Sequence, residues 1–346
     1  MALSVTAPAD DLAWLEEFFG PALIESKRSP ALAGICFEKR PPGEPARQAG
    51  EPIVAFALDS GPVRLRPAPS AEGSCFTSPW ARVTFTVCDA GRSTRIGYHS
   101  DRLSGRFYLM RVVREYAHNH AVRTEGLMLH AAGVILDGVA IGIAGPKSAG
   151  KTTLLLRALA TPHSAFLSND RLLIQPGRRP LAVGVPSVVR LRPGTRELFP
   201  ELTARLRTAG DFRQHTAERD AIGPAPPETF GEAWHLSPLQ LCAALGRPVC
   251  ASGPLSALLF LAPRETDSRL RLLAPDEASN TIANSLLGRR SGVLWSELFV
   301  ATDHDAPSEA RILASCRKLA SSIACVAGSR DTDLADVKAL LRKCET

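Results

Sequence analysis

Residues 140–160 read AIGIAGPKSAGKTTLLLRALA, and the reading of this stretch decides the fold. Gly145, Gly150, Lys151 and Thr152 satisfy the spacing G-x-x-x-x-G-K-[ST]. Glycines at these positions let backbone N–H groups curl round a phosphate, and a helix starting near Lys151 aims its positive end at the same oxygens. In that arrangement Lys151 neutralises the β- and γ-phosphates, and the Thr152 hydroxyl ligates Mg2+. The same spacing also describes an ordinary strand–turn–helix with a surface lysine. Context separates the two, because the motif follows an apolar strand, VAIGIAG, and opens an apolar helix, TTLLLRALA. Residues Gly145, Pro146, Lys147, Ser148, Ala149, Gly150, Lys151, Thr152 and Thr153 are therefore read as a phosphate-binding loop. Lys147 either adds a cation there or points to solvent.

A loop of this kind needs a second metal-binding group at the end of a later strand. AFLSNDRLLI reads as two short strands around a polar centre, and it supplies Asn169 and Asp170. Asn and Asp also favour plain turns. If functional, Asp170 is the Mg2+ partner or the base that receives a substrate proton. His130 lies in LMLHAAGVIL, which reads as one strand just ahead of the loop strand. A lone histidine on an apolar strand is ordinarily a core residue. Arg171, Arg190 and Arg192 are candidates for stabilising charge on a transferring group.

Around this centre the chain divides into 1–122 and 123–346. The first region starts with a helical patch, DLAWLEEFF, and a Pro/Gly-rich stretch at 39–52. Strand-like runs PIVAFAL, VRLRP, ARVTFTV and TRIGYHS follow, and FYLMRVVREYAHNHAV closes the region as a helix. In the second region strands alternate with helices. LSALLFLAP reads as a buried strand, and EASNTIANSLLG, ARILASCRKLASSIA and DLADVKALLRKC read as helices. Residues 206–235 are polar, Pro/Gly-rich and without periodicity, the pattern of a lid or an insertion.

The bulk numbers restrict the class of function. A chain of 346 residues that is 45% hydrophobic and 22% charged buries a sizeable core and has room for two domains. Its net charge of +6 suits acidic ligands such as nucleotides. The charge is dispersed, with no run of five basic residues, which argues against a nucleic-acid partner. No window approaches 18 uninterrupted apolar residues, which argues against a membrane partner. The eight cysteines form no CxxC pair and none lies beside a histidine at ligand spacing, so free thiols in a cytoplasmic protein are expected.

Taken together, LHAAGVILDGVAIGIAGPKSAGKTTLLLRALATPHSAFLSNDRLLI resembles the catalytic domain of HPr kinase/phosphorylase and its wider relatives. The family pattern is a histidine on a strand, a turn, a strand, the phosphate loop, a helix and a strand ending in an acidic pair. The resemblance extends through VGVPSVVRLRP and LSALLFLAPRE, roughly residues 120–345. It implies an α/β P-loop kinase domain of the HPr kinase and phosphoenolpyruvate carboxykinase type behind a β-rich α+β N-terminal region, which, being β-rich and unlike the kinase core, is read as a substrate-recognition region. It implies ATP and Mg2+ as cofactors, a hydroxyl acceptor such as serine of a protein or peptide, and a homo-oligomer. Position by position, it makes His130, Lys151 and Asp170 catalytic, Gly145 to Thr153 the nucleotide loop, and Thr152, Asn169 and Asp170 the metal ligands.

Two departures mark the chain as divergent. The family's acidic pair is Asp-Asp, whereas Asn169 takes the first position here. The glycine-rich signature that follows the pair in bifunctional members is missing. Other readings are a nucleotide-binding regulatory module without phosphotransfer, favoured by Asn169, and a small-molecule kinase. A transport or helicase ATPase is argued against, since no apolar run ends in Asp-Glu and no LSGGQ-like signature follows.

Overall fold

Alternation of inward and outward side chains builds the first sheet. In the computed structural model the described residues are 2–20, 30–40, 50–56, 63–70, 73–78, 83–99, 102–208, 233–263, 269–333, 335–337 and 339–340. Most of the Pro/Gly-rich stretch 39–52 and residues 209–232 of the long polar segment lie outside them. Strands β1 (Leu3–Thr6), β2 (Ala33–Lys39), β3 (Ile53–Phe56), β4 (Val63–Ala68), β5 (Ser74–Thr77), β6 (Val83–Cys88) and β7 (Ser93–Tyr98) form a seven-stranded sheet in the order β1-β2-β7-β6-β5-β4-β3. Helix α1 (Ala9–Phe19) packs its Trp14, Leu15, Phe18 and Phe19 into the core of that sheet. Helix α2 (Arg102–Arg123) completes the core with Phe107, Tyr108, Met110 and Tyr116. A buried acid joins the two helices. Asp11 Oδ1 accepts from Arg102 Nε at 2.9 Å and from Arg106 Nε at 2.7 Å.

The second sheet is mixed and has nine strands. Its elements are β8 (Leu127–Leu129), β9 (Ala131–Leu136), β10 (Val139–Ala144), β11 (Ser164–Ser168), β12 (Arg171–Gln175), β13 (Leu181–Val185), β16 (Ser252–Leu261), β17 (Arg271–Leu272) and β18 (Ala324–Gly328). The path β11-β9-β10-β16-β13-β12-β8 is extended by β18 on β16 and β17 on β18. β14 (Val189–Leu191) and β15 (Trp234–Leu236) pair separately. Helices α3 (Lys151–Ala160), α4 (Pro193–Leu198), α5 (Pro200–Thr208), α6 (Pro238–Leu245), α7 (Pro275–Asn284) and α8 (Glu309–Ala320) surround these strands. The result is a mixed α/β architecture. Among the described residues no helix is long and apolar enough to cross a membrane.

Several sequence expectations correspond to observed elements. Asp137 and Gly138 have φ of 50° and 86° and turn β9 directly into β10, as a two-residue hairpin requires. β11 and β12 flank the Asn169–Asp170 turn, and α3 begins at Lys151. Two expectations are corrected. LMLHAAGVIL is two strands broken at His130, because β8 pairs with β12 while β9 pairs with β10 and β11. ARILASCRKLASSIA does not continue as helix to its end. α8 stops at Ala320, and Ala324–Gly328 becomes β18, drawn into parallel pairing with β16.

Candidate functional site

The loop between β10 and α3 has the backbone that its glycines permit. Gly145 and Gly150 hold φ of +155° and +101°, where a side chain is strained. A Cβ on Gly145 would fall 3.0 Å from both the Cβ and the carbonyl oxygen of Leu261. One on Gly150 would fall 2.5 Å from Arg330 Cβ. Gly150 caps α3 without a side chain, so no capping oxygen competes for the first N–H groups of the helix. Ala149 is buried and anchors the loop to the core, while Lys147 and Ser148 are exposed. Lys151 Nζ folds back over the loop, donating to Gly145 O at 2.7 Å and Pro146 O at 3.2 Å. Thr152 is half-buried and Thr153 buried.

The turn carrying the acid is fixed from both sides. Ser168 Oγ donates to Arg171 O at 2.6 Å and accepts from Arg171 N at 3.2 Å. Asn169 Nδ2 donates to Val188 O at 3.0 Å. Its Oδ1 is buried with no hydrogen-bond partner among the described residues. Asp170 Oδ1 lies 3.0 Å from His130 Nε2. The break between β8 and β9 makes this contact possible. His130 sits where the chain leaves one set of neighbours for another, its backbone N–H held by Ser285 O at 2.9 Å. It is a junction residue, not one packed within an apolar strand. Partial burial works against the charge on Asp170, but the His130 hydrogen bond and the charges of His130, Arg171 and Lys151 outweigh it, so the carboxyl is held well below its ordinary range. His130, Lys151 and Asp170 thus share one electrostatic neighbourhood.

The three arginines singled out in the sequence occupy different places. Arg171 is buried. Arg190 is half-buried, its ordinary value lowered first by burial, with Asp170 opposing and Arg111 and Arg192 adding to the shift. Arg192 is exposed and donates to Ser148 Oγ on the loop at 3.2 Å. Sequence reasoning missed Arg111 and Arg114, which α2 brings to the same neighbourhood. Burial pulls Arg111 down to about 10, with Tyr108 opposing and Arg171 adding. It pulls Arg114 well below its usual value, with Arg171 and Arg111 adding. The available signal was spacing. Arg111, Arg114, Glu115 and His118 repeat at three- and four-residue intervals, forming a charged stripe on a helix whose remaining positions are largely apolar.

The donors fit a hard cation held together with phosphates. Mg2+ takes oxygen ligands, keeps several waters and needs only one or two protein carboxylates beside substrate phosphates. The Thr152 hydroxyl, the Asp170 carboxylate and the unpartnered Asn169 Oδ1 are all oxygen donors. Among the described residues no group of three or more His, Cys, Asp or Glu could hold a metal by itself. Burial pushes the thiols of Cys242, Cys316 and Cys325 up to about 12, which removes them as nucleophiles near neutral pH.

No protein-family model matches the chain, and no curated protein matches it. Among solved structures, the Hpr(Ser) kinase/phosphatase from Coxiella burnetii is similar over 42% of this chain and 76% of its own, with 17% identity and a TM-score of 0.22. A score of that size carries no argument, so the function rests on this chain's own residues.

Proposed function

We propose that the chain is an ATP-dependent kinase that transfers the γ-phosphate to a hydroxyl, with serine of a protein or peptide as the acceptor class. One observation carries the reading: Asp170, hydrogen-bonded to His130 and within electrostatic reach of Lys151, stands beside a glycine-framed strand–turn–helix. Gly145 to Thr153 would hold the nucleotide phosphates. Thr152, Asp170 and Asn169 Oδ1 would hold Mg2+, which when bound neutralises charge on the phosphates.

The chain's own groups then have definite tasks. Lys151 leaves the Gly145 and Pro146 carbonyls for phosphate oxygens. Asp170 stays ionised at neutral pH, so its free carboxylate oxygen accepts the hydrogen bond of the acceptor hydroxyl and orients it. His130 Nε2–H donates to Oδ1 and keeps the carboxylate in one rotamer. As the bond from phosphorus to ADP breaks and the hydroxyl oxygen bonds phosphorus, the hydroxyl proton passes to the Asp170 carboxylate. A carboxylate this acidic is a weak base, which suits a loose transition state in which that proton moves late and catalysis is mainly positioning and electrostatics. We place this activity in the cytoplasm.

Asn169 supports a second reading, a nucleotide-binding module without transfer. Its amide N–H holds Val188 O, and an amide accepts no proton at this pH. Calorimetry with ATP–Mg2+, paired with γ-phosphate-labelled ATP and serine-bearing peptides, separates the two. Binding that Lys151→Ala removes, with label transferred to peptide and lost in Asp170→Ala, supports the kinase. Binding without transfer supports the module. No binding at millimolar ATP overturns both.

A further inference from the structure

Beside Asp170, α2 and the second sheet gather several guanidinium groups. Arg111 and Arg114 on α2 are each 5% exposed, and Arg171 at the start of β12 is 3% exposed. Arg111, Arg114 and Arg190 lie within electrostatic reach of Asp170, and Arg111 is within reach of Arg171 as well. Among the described residues, the carboxylates within electrostatic reach of Arg111 and Arg114 include Glu115, fully buried on α2, and Asp170, already engaged by His130. His118, also buried on α2 within reach of Arg171, adds no negative charge.

The guanidinium donors are also incompletely used. Arg111 Nε and Nη1, Arg114 Nε and Arg171 Nη1 are buried without hydrogen-bond partners among the described residues. Arg114 spends Nη1 on Ser187 Oγ at 2.9 Å, and Arg111 stacks its guanidinium 4.3 Å from the Phe107 ring centroid. A stacked guanidinium is held in one plane with its edge available. Desolvated cations with unsatisfied N–H groups are costly unless an anion meets them. Guanidinium forks match the paired oxygens of a carboxylate or phosphate.

We infer that Arg111, Arg114, Arg171 and Arg190 form a second, oxyanion-binding site beside Asp170, which holds a carboxylate or phosphate group of the acceptor. It lies where α2 meets the second sheet and is built from other residues than the loop that would hold ATP. An acceptor anchored there presents its hydroxyl to Asp170 in a fixed register. The assignment to the acceptor rests on the kinase reading. The site itself rests on the buried donors.

The test uses the full chain and inorganic phosphate as probe. Equilibrium dialysis with radiolabelled phosphate is run with the nucleotide loop saturated by a non-hydrolysable ATP analogue and Mg2+, and separately on Lys151→Ala without nucleotide. Phosphate binding retained in both, and weakened about tenfold or more by Arg111→Gln, supports the site, since a charged hydrogen bond of roughly 1.5–3 kcal/mol corresponds to that factor or above. Arg111→Lys, which keeps the charge without the fork, gives an intermediate loss if the variant is folded by circular dichroism. Displacement of phosphate by acetate at constant ionic strength identifies the ligand group as a carboxylate. Resistance to acetate identifies it as a phosphate. Absence of phosphate binding under both conditions overturns the site even if ATP binds. Phosphate binding by a chain that fails to bind ATP leaves the site standing and removes the kinase.

Discussion

The two sheets build their interiors from different materials. The first closes on aromatic rings: Phe56 stacks on Phe299 with centroids 5.4 Å apart, and Phe85 meets Tyr108 edge-on at 5.3 Å. The second closes on aliphatic side chains, with Val134, Ile141 and Ile143 beneath Leu154 and Leu155 of α3. Large rings give the first sheet a core from short strands, though Phe299 is supplied from far along the chain. The polar groups of the second sheet collect where the pairing stops, at the end of β10, the start of β9 and the turn after β11. Both sheets carry large buried cores, but the polar groups of the candidate site gather at the strand ends of the second, with α2 lending residues to the first core and arginines to that site.

Breaking the first core should have the largest effect. Phe299→Ala removes a fully buried ring that also neighbours Tyr116, and should cost about 3–5 kcal/mol in urea unfolding while leaving nucleotide affinity of the folded fraction unchanged. A loss below about 1 kcal/mol would show that the ring is not structural. The reverse pattern is expected from Lys151→Ala: nucleotide affinity should fall by about 10- to 100-fold, with the unfolding midpoint preserved.

Acid provides a third, intermediate test, on the helix that both sheets share. His118 is buried and lowered to about 3, by burial first and by Arg171 second. Between that value and its ordinary 6.5 the unfolded chain binds a proton that the folded chain refuses. Stability therefore falls as pH drops below 6.5, by roughly 2 kcal/mol at pH 5. Asp170, displaced downward as a carboxylate, loses its contribution only below the ordinary value of 3.8, so the two windows are separable. His118→Gln should flatten the slope between pH 6.5 and pH 5 in denaturation curves; an unchanged slope would mean that other groups carry it. The smallest effect should come from Ser237→Ala. It removes one half of the capping box with Gln240 on α6, about 1 kcal/mol by thermal unfolding, with no change in ligand binding.

Much of the second sheet was legible because its signals are local. The Asp137–Gly138 turn needs positive φ, the glycines at 145 and 150 need backbone freedom, and the α3 pattern has helical period. What escaped depends on partners distant in sequence. The apolar run through His130 shows no break, since the break comes from β8 and β9 choosing different neighbours. β18 follows α8 after only Ser321, Ser322 and Ile323, and it is a strand because β16 offers a parallel edge. β1, β2, β5 and α4 to α6 were also unread, being short or set in segments with mixed signals. Arg111 and Arg114 were read only as part of the helix that closes the first region. Both are buried, and Arg114 reaches Ser187 in the β13–β14 connection, a partner no periodicity within α2 contains.

That connection also determines how accurately the acid is aimed. Arg114 grips Ser187 from the helix side, and Asn169 grips Val188 from the acid turn. Two adjacent residues are thus clamped by opposite halves of the molecule and act as a short strut between them. A strut transmits displacement in both directions. A shift of α2 moves the Asp170 turn with it, and an aspartate at position 169 would cut the link by offering Val188 O an acceptor where it needs a donor. Seen mechanically, the asparagine is a rivet, and the stiffness it provides belongs to the junction of the two sheets and not to the loop that bears the acid.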